Sequence, residues 1–203
     1  MKAPPDPPGL LHAAYEQQAQ LQDYWAPKID GVRFIPLTRQ VDDGGSFTEL
    51  LRTSAAVTNP LSAFVLRQVN WSEVTLGPIK AYHLHKKQTD IWYVPPSDTL
   101  LVVLADLRSS TSEEIRAKGA AAAYRAAMEI EKRPPIQRVV LGNGRAGLLV
   151  IPPGVAHGCR ALGAKATLLY FVDQEFSLDR ERCDEFRLPW DQWGRDVWER
   201  TNG

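Results

Sequence analysis

From residue 32 to about residue 175, the chain consists of short apolar and β-branched runs separated by glycine, proline, asparagine and aspartate. Short runs of this composition, bounded by turn residues, are typical of β-strands. About ten runs of this kind can be counted, among them AFVLRQVNWSEV, TLLVVLADLR, GRAGLLVIPP and KATLLYFVDQ. Many short strands with turn residues between them are typical of a β-sandwich or barrel. The pattern therefore predicts an all-β domain.

Two segments break the strand pattern and are predicted to be helical. Residues 9–25 repeat apolar side chains at an approximate 3.6-residue period, which indicates an N-terminal helix. Residues 112–133 are rich in helix formers, begin at Ser112 as an N-cap and end before two prolines. They predict a helical insertion between two strands.

These elements divide the chain into three parts. An N-terminal extension with its helix covers residues 1–30, and the β-domain covers residues 31–180. The tail, residues 181–203, holds three of the six tryptophans of the chain. We expect this tail to pack on the barrel.

Composition narrows the function without naming it. The 203 residues carry 24 basic and 24 acidic side chains, and a formal charge of zero argues against a general nucleic-acid binder. No run approaches the roughly 18 apolar residues of a membrane span, and the first residues lack the apolar core of a signal peptide. Cys159 and Cys183 form no metal or redox spacing. We therefore expect a cytoplasmic protein with neither nucleic-acid nor membrane partners.

Three of the four histidines lie in the middle of the chain, near one acidic residue. His83 and His85, in KAYHLHKK, are two residues apart, which puts both on one face of a strand. Asp90 follows shortly after, and His157 comes from a distant tight turn in IPPGVAHG. This constellation predicts a shared cavity, in which imidazoles can serve either as metal ligands or as an acid and a base.

The spacing resembles the two motifs of the cupins, except that an aspartate stands where the first motif has glutamate. The resemblance implies a jelly roll, which is a double-stranded β-helix. The matching residues are Gly77, His83, His85 and Asp90 in the first motif, and Pro152, Gly154 and His157 in the second.

A narrower resemblance, over roughly residues 33–192, is to the dTDP-4-dehydrorhamnose 3,5-epimerase family, a cupin branch that works without metal. IPPGVAHG is nearly identical to the family's IPPGFAHG, and VVLADLRSSTS is similar to its DVAVDLRxxSPT. The resemblance implies an isomerase of deoxysugar or polysaccharide biosynthesis. It would move protons at C3, C5 or both of a nucleotide-linked 4-keto-6-deoxy sugar, without a cofactor and as a homodimer.

The resemblance also implies roles for single residues. His83 stands at the family's catalytic base and Tyr170 at its catalytic tyrosine, and both residue types suit proton transfer beside a carbonyl. Asp173 is taken as the carboxylate partner of the base, with Asp191 and Asp196 as further candidates. Arg33, Arg39, Arg52 and Arg67 are candidates for the diphosphate. The expected substrate-binding residues are Glu49, Arg52, Gln68, Asn70, Lys80, His85, Lys87 and His157.

One departure from the family keeps other hypotheses open. Asp90 stands where the family has a lysine near the developing enolate, so the charge at this position is reversed. Lys87 can replace that lysine, because alternation puts it on the face of the two histidines. Asp90 also completes a divalent-metal set. A metal-dependent cupin using His83, His85, Asp90 and His157, or a non-catalytic cupin that binds a sugar nucleotide, are therefore the alternatives.

Overall fold

The computed structural model describes residues 29–53, 59–108 and 133–199. The predicted helices at 9–25 and 112–133 lie outside the described residues, except for the last residue of the second. Within the described ranges, no helix is long and apolar enough to cross a membrane.

A 3₁₀-helix covers Asp196–Trp198. The strands of these ranges are β1 (Arg33–Pro36), β2 (Arg39–Asp42), β3 (Gly45–Thr48), β4 (Gln68–Thr75), β5 (Lys80–Leu84), β6 (Asp90–Tyr93), β7 (Thr99–Asp106), β8 (Ile136–Gly142), β9 (Gly147–Ile151), β10 (Val155–Ala161), β11 (Lys165–Val172) and β12 (Phe186–Arg187).

The strands form two five-stranded sheets and a separate hairpin. Sheet 1 has the order β1-β9-β6-β11-β4, sheet 2 has the order β12-β5-β10-β7-β8, and β2 pairs with β3. Every strand pair in the two sheets is antiparallel. The prediction of an all-β domain is confirmed.

The apolar strand β7 shows how the core is layered. Its side chains alternate between the space that faces sheet 1 and the opposite face of sheet 2, and both faces are covered. The opposite face is covered by the tail, where the indole of Trp198 is 1% exposed. This double coverage explains the lack of polar alternation in TLLVVLAD. Leu100, Val102 and Leu104 face sheet 1, and Leu101, Val103 and Ala105 face the tail.

The edge strand β4 shows the opposite pattern, with alternating exposed and half-buried side chains. Its inward side chains are mostly polar, and they include Gln68 and Asn70. Its outward side chains include Val69 and Trp71, which are 52% and 66% exposed. Polar groups that point inward from an edge strand indicate a cavity at this side of the sandwich.

Two glycines of the second histidine motif are required by the backbone. Gly154 has a φ of +80° in the turn between β9 and β10, a conformation that glycine adopts without strain. A Cβ atom at Gly158 would lie 2.3 Å from the Cβ of Ala81, so glycine allows β5 to approach β10. This approach pairs His157 directly with His83 across the two strands.

Candidate active site

A cavity of about 370 Å³ lies between β4 and β11 of sheet 1 and β5, β10 and β12 of sheet 2. It brings together residues that are distant in the chain, because the strands that carry them meet at one side of the sandwich. The predicted site residues among its lining are Gln68, Asn70, Lys80, His83, His85, Asp90, His157 and Tyr170.

The outer part of the cavity holds a histidine and a carboxylate, which we call the outer pair. The Nδ1 atom of His83 lies 3.4 Å from Oε1 of Glu185, and the two side chains are 28% and 23% exposed. The guanidinium of Arg187 donates to the same carboxylate oxygen. Burial, together with repulsion by His157 and Arg187, lowers the pKa of His83 to about 4. The imidazole is therefore neutral at pH 7 and able to accept a proton.

The inner part of the cavity holds His85, Asp90 and His157, which we call the inner cluster. Oδ1 of Asp90 lies 3.9 Å from Nε2 of His85, and Oδ2 lies 3.5 Å from Nε2 of His157. These side chains are only 8%, 4% and 3% exposed. The Asp90 carboxylate also accepts hydrogen bonds from Trp92 Nε1 at 3.0 Å and Gln88 Nε2 at 2.7 Å.

Electrostatics favour an ionised carboxylate in the inner cluster. Burial by itself would raise the pKa of Asp90, but the hydrogen bond to His157 and the charges of His157 and His85 lower it to about 2. The inner cluster thus keeps a negative charge at the position where the resembling family has a lysine.

Hydrogen bonds to the backbone fix the orientation of both inner imidazoles. Nδ1 of His157 lies 3.0 Å from the carbonyl of Val155, and Nδ1 of His85 lies 2.7 Å from the carbonyl of Asp184. A carbonyl only accepts, so each Nδ1 carries hydrogen and each Nε2 faces Asp90. Nε2 of His85 also lies 3.3 Å from Nε2 of Gln88, whose amide donates to Asp90 at 2.7 Å, so this amide bridges the imidazole of His85 and the carboxylate.

The predicted four-residue metal set is only partly assembled. The ligand atoms of His85, Asp90 and His157 lie within 4.8 Å of one another, which fits a metal site of two imidazoles and one carboxylate. His83 is turned toward Glu185 instead, and its ring centroid lies 6.0 Å from that of His157.

Tyr170 lies on the wall opposite His83, because β11 belongs to sheet 1 and β5 to sheet 2. Its ring lies 6.4 Å from that of Trp92, which in turn packs edge-on against His157. Burial, reinforced by the negative charges of Asp90 and Glu185, raises the pKa of Tyr170 above its usual value. The phenol therefore stays protonated at neutral pH and able to donate.

Four of the predicted site residues lie outside this cavity. Glu49 and Arg52 form an ion pair with each other at 2.7 Å, and their side chains are 49% and 66% exposed. Lys87 is exposed. Asp173 uses its carboxylate to accept a hydrogen bond from the backbone of Thr89 at 2.8 Å. None of the arginines proposed for the diphosphate lines the cavity; the candidates were Arg33, Arg39, Arg52 and Arg67.

The carboxylate beside His83 is Glu185, a residue that the sequence comparison did not single out. Asp196, one of the earlier candidates, pairs with Arg133 at 2.6 Å instead. Glu185 itself could have been found only from the pairing of β12 with β5, which sets Arg187 opposite His83.

A curated relative identifies the family of this chain. The chain is 38% identical to the spore coat polysaccharide biosynthesis protein SpsL of Bacillus subtilis (strain 168) over 164 residues, which are 80% of this chain and 91% of SpsL. The chain belongs to the SpsL family. No protein-family model matches it.

Solved structures share the fold of this member of the SpsL family. A dTDP sugar isomerase from Desulfovibrio desulfuricans G20 has a TM-score of 0.60 at 23% identity, covering 81% of this chain and 87% of that one. The dTDP-4-dehydrorhamnose 3,5-epimerase from Sulfolobus tokodaii has a TM-score of 0.61 at 22% identity, with coverages of 83% and 82%.

A third structure contains a sugar nucleotide. It is the epimerase RmlC from Legionella pneumophila Philadelphia 1 in complex with dTDP-4-keto-L-rhamnose, with a TM-score of 0.60 at 18% identity, covering 82% of this chain and 77% of that one. Together these likenesses confirm the predicted cupin fold of the dTDP-4-dehydrorhamnose 3,5-epimerases.

Proposed function

We propose that this protein is an epimerase of a nucleotide-linked 4-keto-6-deoxy sugar, which inverts C3, C5 or both. One observation carries the proposal: a neutral imidazole, His83, and a protonated phenol, Tyr170, lie on opposite walls of one cavity. Inversion requires that a proton leaves one face of the sugar ring and that another arrives on the opposite face. The name of SpsL supports a role in polysaccharide biosynthesis, and the isomerase and epimerase that share the fold support the reaction class.

In the first step, His83 acts as the general base. The hydrogen atoms at C3 and C5 are acidic because the C4 carbonyl can take up the electron pair as an enolate. The Glu185 carboxylate lies 3.4 Å from Nδ1 of His83 and favours the hydrogen on that atom, which leaves the lone pair on Nε2 for the substrate. A low pKa for His83 keeps this lone pair free at neutral pH.

In the second step, Tyr170 returns a proton to the carbanion carbon from the other face. The O–H bond of the phenol breaks, the new C–H bond forms, and the C4 carbonyl is restored. Exchange with water then protonates the phenolate and removes the proton from His83, so the net change is an inversion with no redox step. No cofactor is required by this sequence of steps.

Cationic side chains at the cavity suit the diphosphate of the substrate. Lys80 lines the cavity and donates from Nζ to Ser72 Oγ and to the carbonyl of Glu73, at 2.9 and 2.8 Å. Arg187 lines the cavity as well, and its side chain is 62% exposed. Guanidinium and ammonium groups at an opening are the usual partners of phosphate oxygens.

Solvent deuterium exchange tests the proposed function. The protein is incubated in D₂O with dTDP-4-keto-6-deoxyglucose, and proton NMR follows the signals at C3 and C5. We expect exchange at one or both carbons. The absence of exchange, combined with tight binding of the sugar nucleotide by calorimetry, would contradict the epimerase and favour a non-catalytic binding protein.

A metal-dependent enzyme is the second candidate function, and the inner cluster is the observation that favours it. Its two imidazoles and one carboxylate would hold a divalent ion, which would polarise a substrate oxygen. Elemental analysis of the purified protein separates the two candidates. One equivalent of metal that is lost in Asp90→Ala, together with the activity, would favour the metal enzyme.

We further propose that the protein is a cytoplasmic homodimer. The hairpin of β2 and β3 exposes Val41 and Phe47 by 66% and 68%, and the edge strand β4 exposes Trp71 by 66%. Apolar side chains of this size on an edge strand and a hairpin suit burial against a second copy. Light scattering after gel filtration tests this: Trp71→Glu should yield a monomer, and a monomeric wild-type protein would contradict the proposal.

A further inference from the structure

We propose that Asp184 is a positioning residue, which fastens residues 183–187 to the turn after β5 and so holds Glu185 against His83. This inference rests on the proposed function of His83 as the base. Asp184 lines the cavity, and its carboxylate oxygens accept hydrogen bonds from backbone N–H groups.

The carboxylate of Asp184 accepts hydrogen bonds from three backbone N–H groups of the turn after β5. Oδ1 accepts the N–H of Lys86 at 3.1 Å, and Oδ2 accepts the N–H groups of Lys87 and Gln88 at 2.8 and 3.0 Å. Three consecutive amide groups that converge on one carboxylate form strong, directional bonds, since the acceptor is charged. The bonds join the turn that follows β5 to a segment about a hundred residues later in the chain.

Two residues of the segment 183–187 contact the histidines of β5 and the turn after it, which are His83 and His85. The carbonyl of Asp184 accepts the Nδ1 hydrogen of His85 at 2.7 Å. The next residue, Glu185, faces Nδ1 of His83 at 3.4 Å. After it, Phe186 and Arg187 pair with β5 as strand β12. Since Glu185 directly follows the fastened residue, the position of its carboxylate depends on the bonds of Asp184.

An amide cannot replace the carboxylate at this position. Three N–H donors approach the two oxygens of Asp184, and each oxygen is used. In Asp184→Asn, either the Lys86 amide or the pair from Lys87 and Gln88 would face an NH₂ group, donor against donor. The segment would then move away from the turn, and Glu185 would no longer fix the tautomer of His83.

The first test is imidazole ¹⁵N NMR of the free protein at pH 7.5, with Asp179→Asn as the matched control. Asp179 also accepts a backbone N–H, from Glu181 at 3.1 Å in the same loop, and its other oxygen accepts from Arg182 at 2.9 Å; within the described part of the chain, no hydrogen bond joins it to a histidine. We expect the Nδ1–H tautomer of His83 in the wild type and in Asp179→Asn, and mixed tautomers in Asp184→Asn. An unchanged tautomer in Asp184→Asn would overturn the proposal.

The second test is a double-mutant cycle in the deuterium-exchange assay. Asp184→Asn should lower kcat about tenfold and leave KM within about twofold, the size usual for residues that orient a functional histidine. In a Glu185→Ala background, the same substitution should change kcat by less than about twofold. A full tenfold loss in that background would reveal a general structural role and overturn the proposal.

The two tests distinguish failure of the proposed epimerase function from failure of the proposed role of Asp184. A wild-type protein without exchange activity would contradict the proposed function, while the NMR comparison would still decide the role of Asp184. Thermal unfolding of each variant is measured first. If Asp184→Asn does not fold, Asp184→Ser, which keeps one short acceptor, takes its place with the same expected mixture of tautomers.

Discussion

The outer pair and the inner cluster are built from the same side chains, imidazole and carboxylate, and differ in burial. His83 and Glu185 are 28% and 23% exposed, whereas His157 and Asp90 are 3% and 4% exposed. In the outer pair, a single carboxylate faces one imidazole that also opens to the cavity. In the inner cluster, one carboxylate is shared by two imidazoles, an indole and an amide.

The difference indicates separate roles for the two groups. A base must reach its substrate and must be free to gain and lose a proton, which suits the outer pair. A buried carboxylate with every oxygen occupied is costly to disturb, which suits the inner cluster to holding the inner end of the cavity in shape. Substitutions in the outer pair should therefore reduce activity, and substitutions in the inner cluster should reduce stability.

The largest effect is expected for His83→Ala. Loss of the general base should lower kcat for deuterium exchange about 1000-fold, within the range of general-base catalysis, without a change in the thermal midpoint. Arg180→Ala, which alters an exposed side chain between β11 and β12, serves as the control and should keep full activity. Undiminished exchange in His83→Ala would show that another residue is the base, and it would contradict the catalytic role of the outer pair.

The next effect is on stability, in Asp90→Ala. Removal of the carboxylate leaves Trp92 and Gln88 donors and two imidazoles without their buried partner, at a cost of about 3 kcal/mol in the free energy of unfolding. Urea denaturation measures this cost. Arg182→Ala, which breaks an exposed ion pair with Asp179, should cost less than about 1 kcal/mol. Equal costs for the two variants would mean that the inner cluster has no special structural role.

A smaller effect is expected for Glu185→Gln. The amide can still accept the Nδ1 hydrogen of His83, but it lacks the charge that stabilises the imidazolium formed during the reaction. Exchange should slow about tenfold, with the thermal midpoint unchanged. A large loss of stability with full activity in Glu185→Gln would mean that the outer pair has a structural role and not a catalytic one.

The smallest effect is expected from pH. A pKa of about 4 for His83 means that its neutral, basic form already predominates at pH 5.5. Protonation removes the base only as the pH falls through about 4. The kcat/KM for exchange should therefore change less than about twofold between pH 5.5 and 7.5. A decline that begins near pH 6.5, the ordinary pKa of histidine, would contradict the burial of the outer pair.

Much of the fold and part of the site could be predicted from the chain alone. Alternation along β4 and the apolar run of β7 report burial directly, so the all-β architecture follows from local pattern. The spacing of His83 and His85 on one strand, and the turn geometry before His157, likewise bring three imidazoles to one cavity. The strand pattern and the shared face of His83 and His85 depend on residues close together in sequence, whereas the meeting of His157 with His83 depends on the pairing of β10 with β5.

Two residues of the site, Glu185 and Asp184, depend on contacts between distant parts of the chain and could not be derived from local pattern. Glu185 and Asp184 belong to a tail with no strand pattern of its own, and their positions follow from pairing with β5. Conversely, Glu49 and Arg52 are expected from the family resemblance to bind substrate, but they form an ion pair with each other outside the cavity. The resemblance concerns residue types, whereas the course of the chain after the β2–β3 hairpin determines where Glu49 and Arg52 lie.

The sequence by itself determined that the domain is built of β-strands, that His83 and His85 share one face of a strand, and that an acidic residue, Asp90, stands at a lysine position. These three features depend on hydrophobic period, residue spacing and residue type. Only the tertiary structure decided that His83 pairs with Glu185 while His85 and His157 share Asp90. That division depends on which backbone carbonyls meet each imidazole, and on how deeply each carboxylate is buried. Both are set by contacts between strands that are far apart in the chain.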